Sequence, residues 1–468
     1  MKKPNILFVF ADQMRGSALG CAGIEDVMTP NLDAFAKEST RFIRAISNTP
    51  VCSPARASIL SGLHTLSHEV VYNDITMRTD IKSIAHCLNE EGYMCGYIGK
   101  WHLDCADRGV FIPPGPRRQG FDDYWAAYNC NHMYYAGYYY LNDNPKPVWI
   151  DGYEPEAQTN LAIEYIKNSK HKDGPFCLFL SWGPPHCPYE QVPEKYLDMY
   201  PPENIRLKPN ATKNADKRKI AAYYAQITAI DDCFGKLMRT LNEEGLKNDT
   251  IVVFTSDHGD MLYSHNRGWK FKPWAESVNI PFIIRWPGRI PANRVSDGLI
   301  SLVDVMPTLL SLVGAKIPEE VEGLDLSKLV LGDDSASPDS IFVNFPNSPK
   351  RWLSYPEWRG VITKRYTYAR FRDKIWVLYD DLNDPYQLNN LAELPEYEEL
   401  RKEMENELQK WLKRLNDSFE STDEVAKKYY PGSVNGFMEF YENEEIRTGI
   451  AERMKKYQQE KLKKKSTN

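Results

Sequence analysis

Residues 5–10 (Asn-Ile-Leu-Phe-Val-Phe) form an unbroken apolar run of strand length, the pattern of a parallel strand covered on both faces. Asp12 and Gln13 follow at its carboxyl end. The spacing of Ile81, Ile84, Ala85 and Leu88 predicts a helix over 80–91, with Asp80 as N-cap and Gly92 as its stop. Further strands are predicted at 93–98, 175–182 and 250–256. Each runs into a polar cluster: Gly99-Lys100-Trp101-His102, Gly183-Pro184-Pro185-His186 and Asp257-His258-Gly259. Before the last of them, Ile220, Ile227, Ile230, Phe234, Leu237 and Leu241 set one stripe of a long helix over 216–244, closed by Gly245.

Strands alternating with helices predict an α/β fold, a mostly parallel, doubly wound sheet flanked by helices, which binds ligands outside the carboxyl ends of its strands. All four polar clusters fall at such ends, whereas chance would scatter them over both edges of the sheet. After residue 364 the pattern changes to short alternating strands at 366–369 and 375–379, an Asp384-Pro385 turn and a charged helix near 396–414. The expected division is therefore an α/β domain over 1–360 and a smaller α+β subdomain with an antiparallel sheet over 361–468. Its last stretch, 442–468, reads as a charged, solvated helix with a Lys-rich end.

Composition changes this picture little. A chain of 468 residues can bury a sizeable core, and its net charge of −6 argues against nucleic acid as a partner. Nine cysteines, scattered from Cys21 to Cys233 without paired spacing, do not suggest a disulfide framework. After Met1-Lys2-Lys3 the apolar run meets Asp12 too soon for a secretory segment, and no stretch approaches membrane-spanning length. A soluble cytoplasmic protein without a membrane partner is expected.

The chemistry gathers at 52–62. Pro54 suits a first helical turn and Gly62 a helix end. A short helix beginning beside Cys52 would turn its unpaired N–H groups and positive dipole end toward Cys52 and Arg56, forming an anion site. Asp12, Gln13, Asp257 and His258 offer two carboxylates, an amide oxygen and an imidazole from two strand ends. That donor set suits Ca²⁺ or Mg²⁺ and also tolerates Mn²⁺ or Zn²⁺.

The pattern Cys52-x-Pro54-x-Arg56, followed by Ala57-Ser58-x-Leu60-x-Gly62, closely resembles the signature of type I sulfatases of the alkaline phosphatase superfamily. In that family the cysteine is oxidised after synthesis to formylglycine (3-oxoalanine). Other stretches match too: Phe10-Ala11-Asp12-Gln13, where the family often has Asp-Asp; Gly99 to His102; Thr255-Ser256-Asp257-His258-Gly259; His265 with Lys270 and then Pro281-Phe282-Ile283-Ile284. Leu378-Tyr379-Asp380, Asn383-Asp384-Pro385 and Asn390-Leu391 resemble the C-terminal subdomain, so the likeness covers most of the first 390 residues.

The resemblance implies an alkaline-phosphatase-like fold and hydrolysis of a sulfate monoester. Formylglycine at position 52 would be hydrated, and one hydroxyl, bound to the cation held by Asp12, Gln13, Asp257 and His258, would attack sulfur. Arg56 and Lys100 would hold the sulfate oxygens. His186 and Lys270 would serve the leaving alcohol, and His102 would take the proton of the second hydroxyl as sulfate departs. A formylglycine-generating enzyme, in a cytoplasmic setting an oxygen-independent radical enzyme, is the implied maturation partner. His265 reads as structural or outer-shell, while His64, His68, His86, His132 and His171 are given no role.

Residues 112–121 with Arg117 and Arg118, then Trp125, Tyr134, Tyr135 and 138–140, bring aromatic faces and cations together, as a pocket for an anionic saccharide would need. Two alternatives stand beside a carbohydrate sulfatase. One is a phosphonate or phosphate mono- or diester hydrolase of the same superfamily. The other is an anion-binding protein with an unconverted cysteine, against which the filled reactive positions argue.

Overall fold

The computed structural model describes residues 3–346, 356–429 and 441–467, so Met1, Lys2 and Asn468 of the segments above lie outside it. Ten strands share one sheet: β1 (Asn5–Asp12), β2 (Thr40–Ile46), β3 (Met94–Lys100), β4 (Tyr124–Tyr128), β5 (Tyr138–Leu141), β6 (Pro147–Trp149), β7 (Phe176–Pro185), β8 (Thr250–Ser256), β9 (Asn279–Arg285) and β10 (Arg294–Ser301). Their order is β10-β2-β9-β8-β1-β7-β3-β4-β5-β6. The central run from β8 to β4 is parallel, whereas β9 runs antiparallel to both β8 and β2, and β5 and β6 form an antiparallel edge.

The apolar run in β1 explains its central place. Ile6, Phe8 and Phe10 enter one core with Phe179 and Val253, while Leu7, Val9 and Ala11 enter the other with Leu180 and Phe254. A strand buried on both faces needs no polar alternation. The long helix Lys217–Glu243 covers the second face through Ile227, Ile230 and Phe234, and its N-cap Asp216 accepts a hydrogen bond from Arg218 N. The helix predicted over 80–91 is shorter, Ile84–Glu90. Ser83 is its N-cap, because Asp80 is taken by the Arg78 guanidinium at 2.6 and 3.0 Å.

A second sheet, β11 (Ser340–Phe345), β12 (Trp358–Thr363), β13 (Tyr366–Arg370) and β14 (Ile375–Asp380), is antiparallel throughout. It starts at Ser340, so two of its strands contain residues before the division placed at 360/361. The helix Glu398–Arg414 lays Met404, Leu408 and Leu412 on it. The last helix, Glu444–Thr467, is not wholly solvated: Ile446 is fully buried beside Tyr128, Tyr138 and Tyr140, and Tyr457 stacks on Tyr135 with centroids 4.2 Å apart. No helix among the described residues is long and apolar enough to cross a membrane.

Candidate active site

Strand ends and one helix start converge at the carboxyl edge of the large sheet. Ala11 and Ser256 pair in parallel register, so Asp12 and Asp257 leave β1 and β8 side by side. Lys100 ends β3. Gly99 permits β3 to lie this close to β7: its φ is +97°, and a Cβ there would sit 2.0 Å from the Ser181 carbonyl oxygen. The helix Cys52–Ser61 is buried along its length and closes at Gly62, whose φ of 65° is left-handed.

Cys52 Sγ lies 3.2 Å from His258 Nε2 and 3.6 Å from Asp12 Oδ1, and Lys270 Nζ donates to it at 3.1 Å. Lys270 also donates to Gln13 Oε1 at 2.9 Å, so the Gln13 side chain reaches the cluster through a lysine and its Nε2 donates to Asp260 at 2.7 Å, while the Gln13 backbone N–H donates directly to Asp257 Oδ1 at 3.1 Å. Arg56 spans both carboxylates, with Nη2 3.1 Å from Asp12 and Nε 3.1 Å from Asp257, while its Nη1 donates to Lys100 O and Ser181 Oγ. Lys100 Nζ donates to Asp12 Oδ2 at 2.5 Å. Arg56 and Lys100 thus face the carboxylates first.

This donor set fits a divalent cation. His258 Nδ1–H donates to Gly259 O at 3.0 Å, which turns Nε2 toward Asp12 Oδ1 (3.6 Å) and Asp257 Oδ1 (3.5 Å). Burial disfavours a charged ring, but Asp257 raises it above its ordinary value, so Nε2 offers its lone pair to a cation only in place of a proton. One ligand atom from each of Asp12, Cys52, Asp257 and His258 lies within 4.8 Å of all the others, and all four residues are buried. Arg56, Lys100 and Lys270 already bring positive charge to these acceptors, and the two carboxylates among the four donors favour a hard ion between them. The titrations agree. Burial would raise the Asp12 carboxyl, but Lys100, His186, Arg56 and Lys270 hold it well below the usual range, whereas burial and Asp12 together push Asp257 up. Burial and Asp12 would likewise raise the Cys52 thiol, yet Lys100, Lys270 and His258 bring it well below its ordinary value.

The family model described as Sulfatase matches residues 4–315, and that described as N-sulphoglucosamine sulphohydrolase, C-terminal, matches 267–414. The chain belongs to the sulfatase family. It is 40% identical over 434 residues to an ulvan-active sulfatase of Formosa agariphila, covering 91% of this chain and 84% of that one. It is 32% identical to an endo-4-O-sulfatase of Bacteroides thetaiotaomicron, covering 88% and 92%. A solved structure concerned with metabolism of multiple glycosaminoglycans by Bacteroides thetaiotaomicron superposes with a TM-score of 0.82 at 30% identity, covering 92% of this chain and 100% of that one.

Around the sulfatase core stand two histidine groups. His102 Nε2 is 3.1 Å from Asp74 Oδ1, and Arg108 clasps the same carboxylate through two contacts of 3.2 Å. Burial disfavours a charged His102, but Cys130 and Asp74 overcome it and raise the ring to about 10. His186 stacks flat on His132, centroids 3.8 Å apart, and burial with the nearby Lys270 charge holds it well below its ordinary value. His132, Asp74 and Arg108 carry no motif in the sequence. Only the fold brings 132 to 186 and 74 to 102. His265 stacks on Trp274 outside the cluster.

The saccharide pocket expected at Arg117 and Arg118 is not formed. Arg118 is 1% exposed, donates to the carbonyls of Ile112 and Asn142, and lies 4.8 Å from the centre of the Trp125 ring. Arg117 pairs with Asp104 at 2.6 Å, and Tyr134, Tyr138 and Tyr140 are buried. Guanidinium donors meeting backbone carbonyls and rings meeting a core account for the cluster without a ligand.

Gly259 abuts a second buried network: its Cβ would meet the Glu276 carbonyl at 2.0 Å, and the Glu276 carboxylate takes Lys208 Nζ at 2.6 Å and Asn210 Nδ2 at 2.8 Å. Burial raises Glu276, but Lys208 and these hydrogen bonds bring it down from 4.5 to about 2. A depressed carboxyl stabilises the fold above its unfolded value and loses that stabilisation as pH falls through the folded one. Glu276→Gln is therefore expected to cost about 3 kcal/mol near pH 6, a gap that narrows as pH drops from about 4.5 toward 2. Urea unfolding across that range checks it, and a gap independent of pH would contradict it.

Proposed function

We propose that this sulfatase removes sulfate from a sulfated saccharide, using formylglycine formed from Cys52 and a divalent cation. The observation that carries this is the buried ring of Asp12, Asp257 and His258 around Cys52 at a helix start. The saccharide follows from the relatives named for ulvan and for glycosaminoglycan metabolism. Asp12, Asp257, His258 and residue 52 would hold the ion, Ca²⁺ in preference to Mg²⁺ or Mn²⁺ by its oxygen donors, with Gln13 at its edge. When bound, the ion supplies Lewis acidity, and the converted side chain supplies a hydroxyl where the thiol now lies.

The chain's own residues then divide the work. Arg56 and Lys100 bring two fixed cations to the place where the charge of a sulfate group is held. His186 Nδ1–H donates to Cys187 O at 2.8 Å, so the neutral ring offers an acceptor at Nε2. Of the two residues assigned to the leaving alcohol, His186 therefore accepts from and orients the hydroxyl, and donation falls to Lys270 Nζ, which already donates to Cys52 Sγ. His102, raised to about 10, takes the proton released at position 52 only from its neutral form, and Asp74, fixed by Arg108, stabilises the imidazolium that results. Overall, water adds its oxygen to sulfur and its proton to the alcohol. A formylglycine-generating enzyme is required upstream.

Asp74→Asn keeps the shape but removes the charge behind His102. It is expected to lower kcat by about 10²-fold with KM for the ester nearly constant, measured by steady-state kinetics. The proposal itself is tested with co-matured protein on defined sulfated mono- and disaccharides, 4-nitrophenyl sulfate and a phenylphosphonate ester. A saccharide sulfate should give the highest kcat/KM. Faster turnover of the phosphonate would favour the phosphoryl alternative instead.

A further inference from the structure

Among the described residues, the only aromatic side chain classed as exposed is Trp269, with 54% of its surface in solvent. It directly precedes Lys270, whose ammonium touches Cys52 Sγ, and its ring centre is 6.3 Å from that of His186. The two rings meet at 61°, so the indole does not lie flat on the imidazole. The indole meets the His186 ring by its edge and leaves more than half of its surface in solvent, next to a lysine that reaches the buried cluster.

Its backbone is held in place. Lys272, 4% exposed, sends Nζ to the carbonyl oxygens of Gly268 at 3.0 Å and Lys270 at 2.7 Å, the residues on either side of Trp269. Met261 N donates to the Trp269 carbonyl at 2.7 Å, and Phe271 N reaches Pro50 O near the start of the Cys52 helix. Leu262, Tyr263, His265, Asn266, Trp269 and Phe271 all have φ between 33° and 78°, a left-handed run that costs energy for side chains other than glycine. The loop thus maintains a strained path that carries the indole outward and the next ammonium inward.

We propose that Trp269 is a stacking platform for a second sugar ring, the one joined to the ring bearing the scissile sulfate. A pyranose presents apolar C–H faces that pack on an indole, and the exposed Arg267 two residues earlier favours an anionic chain there. The platform rests on the saccharide reading given above, and sits on the leaving-group side because Lys270 and His186 do. The enzyme would then recognise an oligosaccharide in preference to a single sugar.

The test compares kcat/KM for a sulfated tetrasaccharide with that for the monosaccharide carrying the same sulfate, in wild type, W269A and W269F. Wild type should prefer the tetrasaccharide. W269A should lose about tenfold of that preference through KM, and W269F, which keeps an aromatic face, should retain most of it. A preference unchanged in W269A, or absent from the wild type, overturns the platform while leaving the saccharide reading intact. A wild type that cleaves 4-nitrophenyl sulfate and no saccharide overturns both.

Discussion

Replacing Cys52 with alanine is expected to lower sulfate ester turnover by about 10⁵-fold or more, the scale of losing a covalent nucleophile. Alanine suits the first turn of a helix, and Lys270 keeps Gln13 Oε1 as a partner, so the variant should fold and still bind the cation through Asp12, Asp257 and His258. Serine makes a sharper comparison. It supplies one hydroxyl where a hydrated aldehyde supplies two, so release of alcohol should stop after at most one equivalent per enzyme. Rapid-mixing kinetics with a chromogenic sulfate distinguish the two variants. Sustained turnover by either would mean that position 52 is not the nucleophile.

Asp12→Asn should be nearly as damaging and for a different reason. Its carboxylate binds Lys100 at 2.5 Å and Arg56 at 3.1 Å, with both cations buried, and it supplies one of the metal-facing oxygens. Arg56 retains Asp257, but Lys100 loses the carboxylate it pairs with. A buried ammonium stripped of its partner costs about 3–5 kcal/mol. Urea unfolding should register that loss, calorimetric titration with Ca²⁺ should show weakened binding, and turnover should fall by about 10³-fold or more. Unchanged stability together with unchanged metal affinity would remove Asp12 from its proposed position.

The placement of this site was largely legible before any coordinates. An apolar run such as 5–10 announces a strand covered on both sides, and parallel strands put all their carboxyl ends on one edge, so Asp12, Lys100 and Asp257 had to meet. The Cys52 helix could be read because Pro54 and Gly62 mark its two ends by local sterics. What escaped depends on partners distant in sequence. Asp80 lost its capping role to Arg78, and a buried Arg118 satisfied by carbonyls looks the same in sequence as one awaiting an anion. The stack of His132 on His186 and the Asp74 support for His102 join segments whose spacing carries no period. The docking of the last helix through Ile446 and Tyr457 was hidden by a composition that is otherwise charged.

The mass of the tryptic peptide spanning residues 45–56, from protein produced together with a formylglycine-generating enzyme, tests the central claim most directly. Conversion of the thiol to an aldehyde makes that peptide about 18 Da lighter than its sequence mass, and the extent of conversion should rise in proportion to sulfatase activity. Full activity from protein in which the peptide keeps its thiol mass would contradict the account.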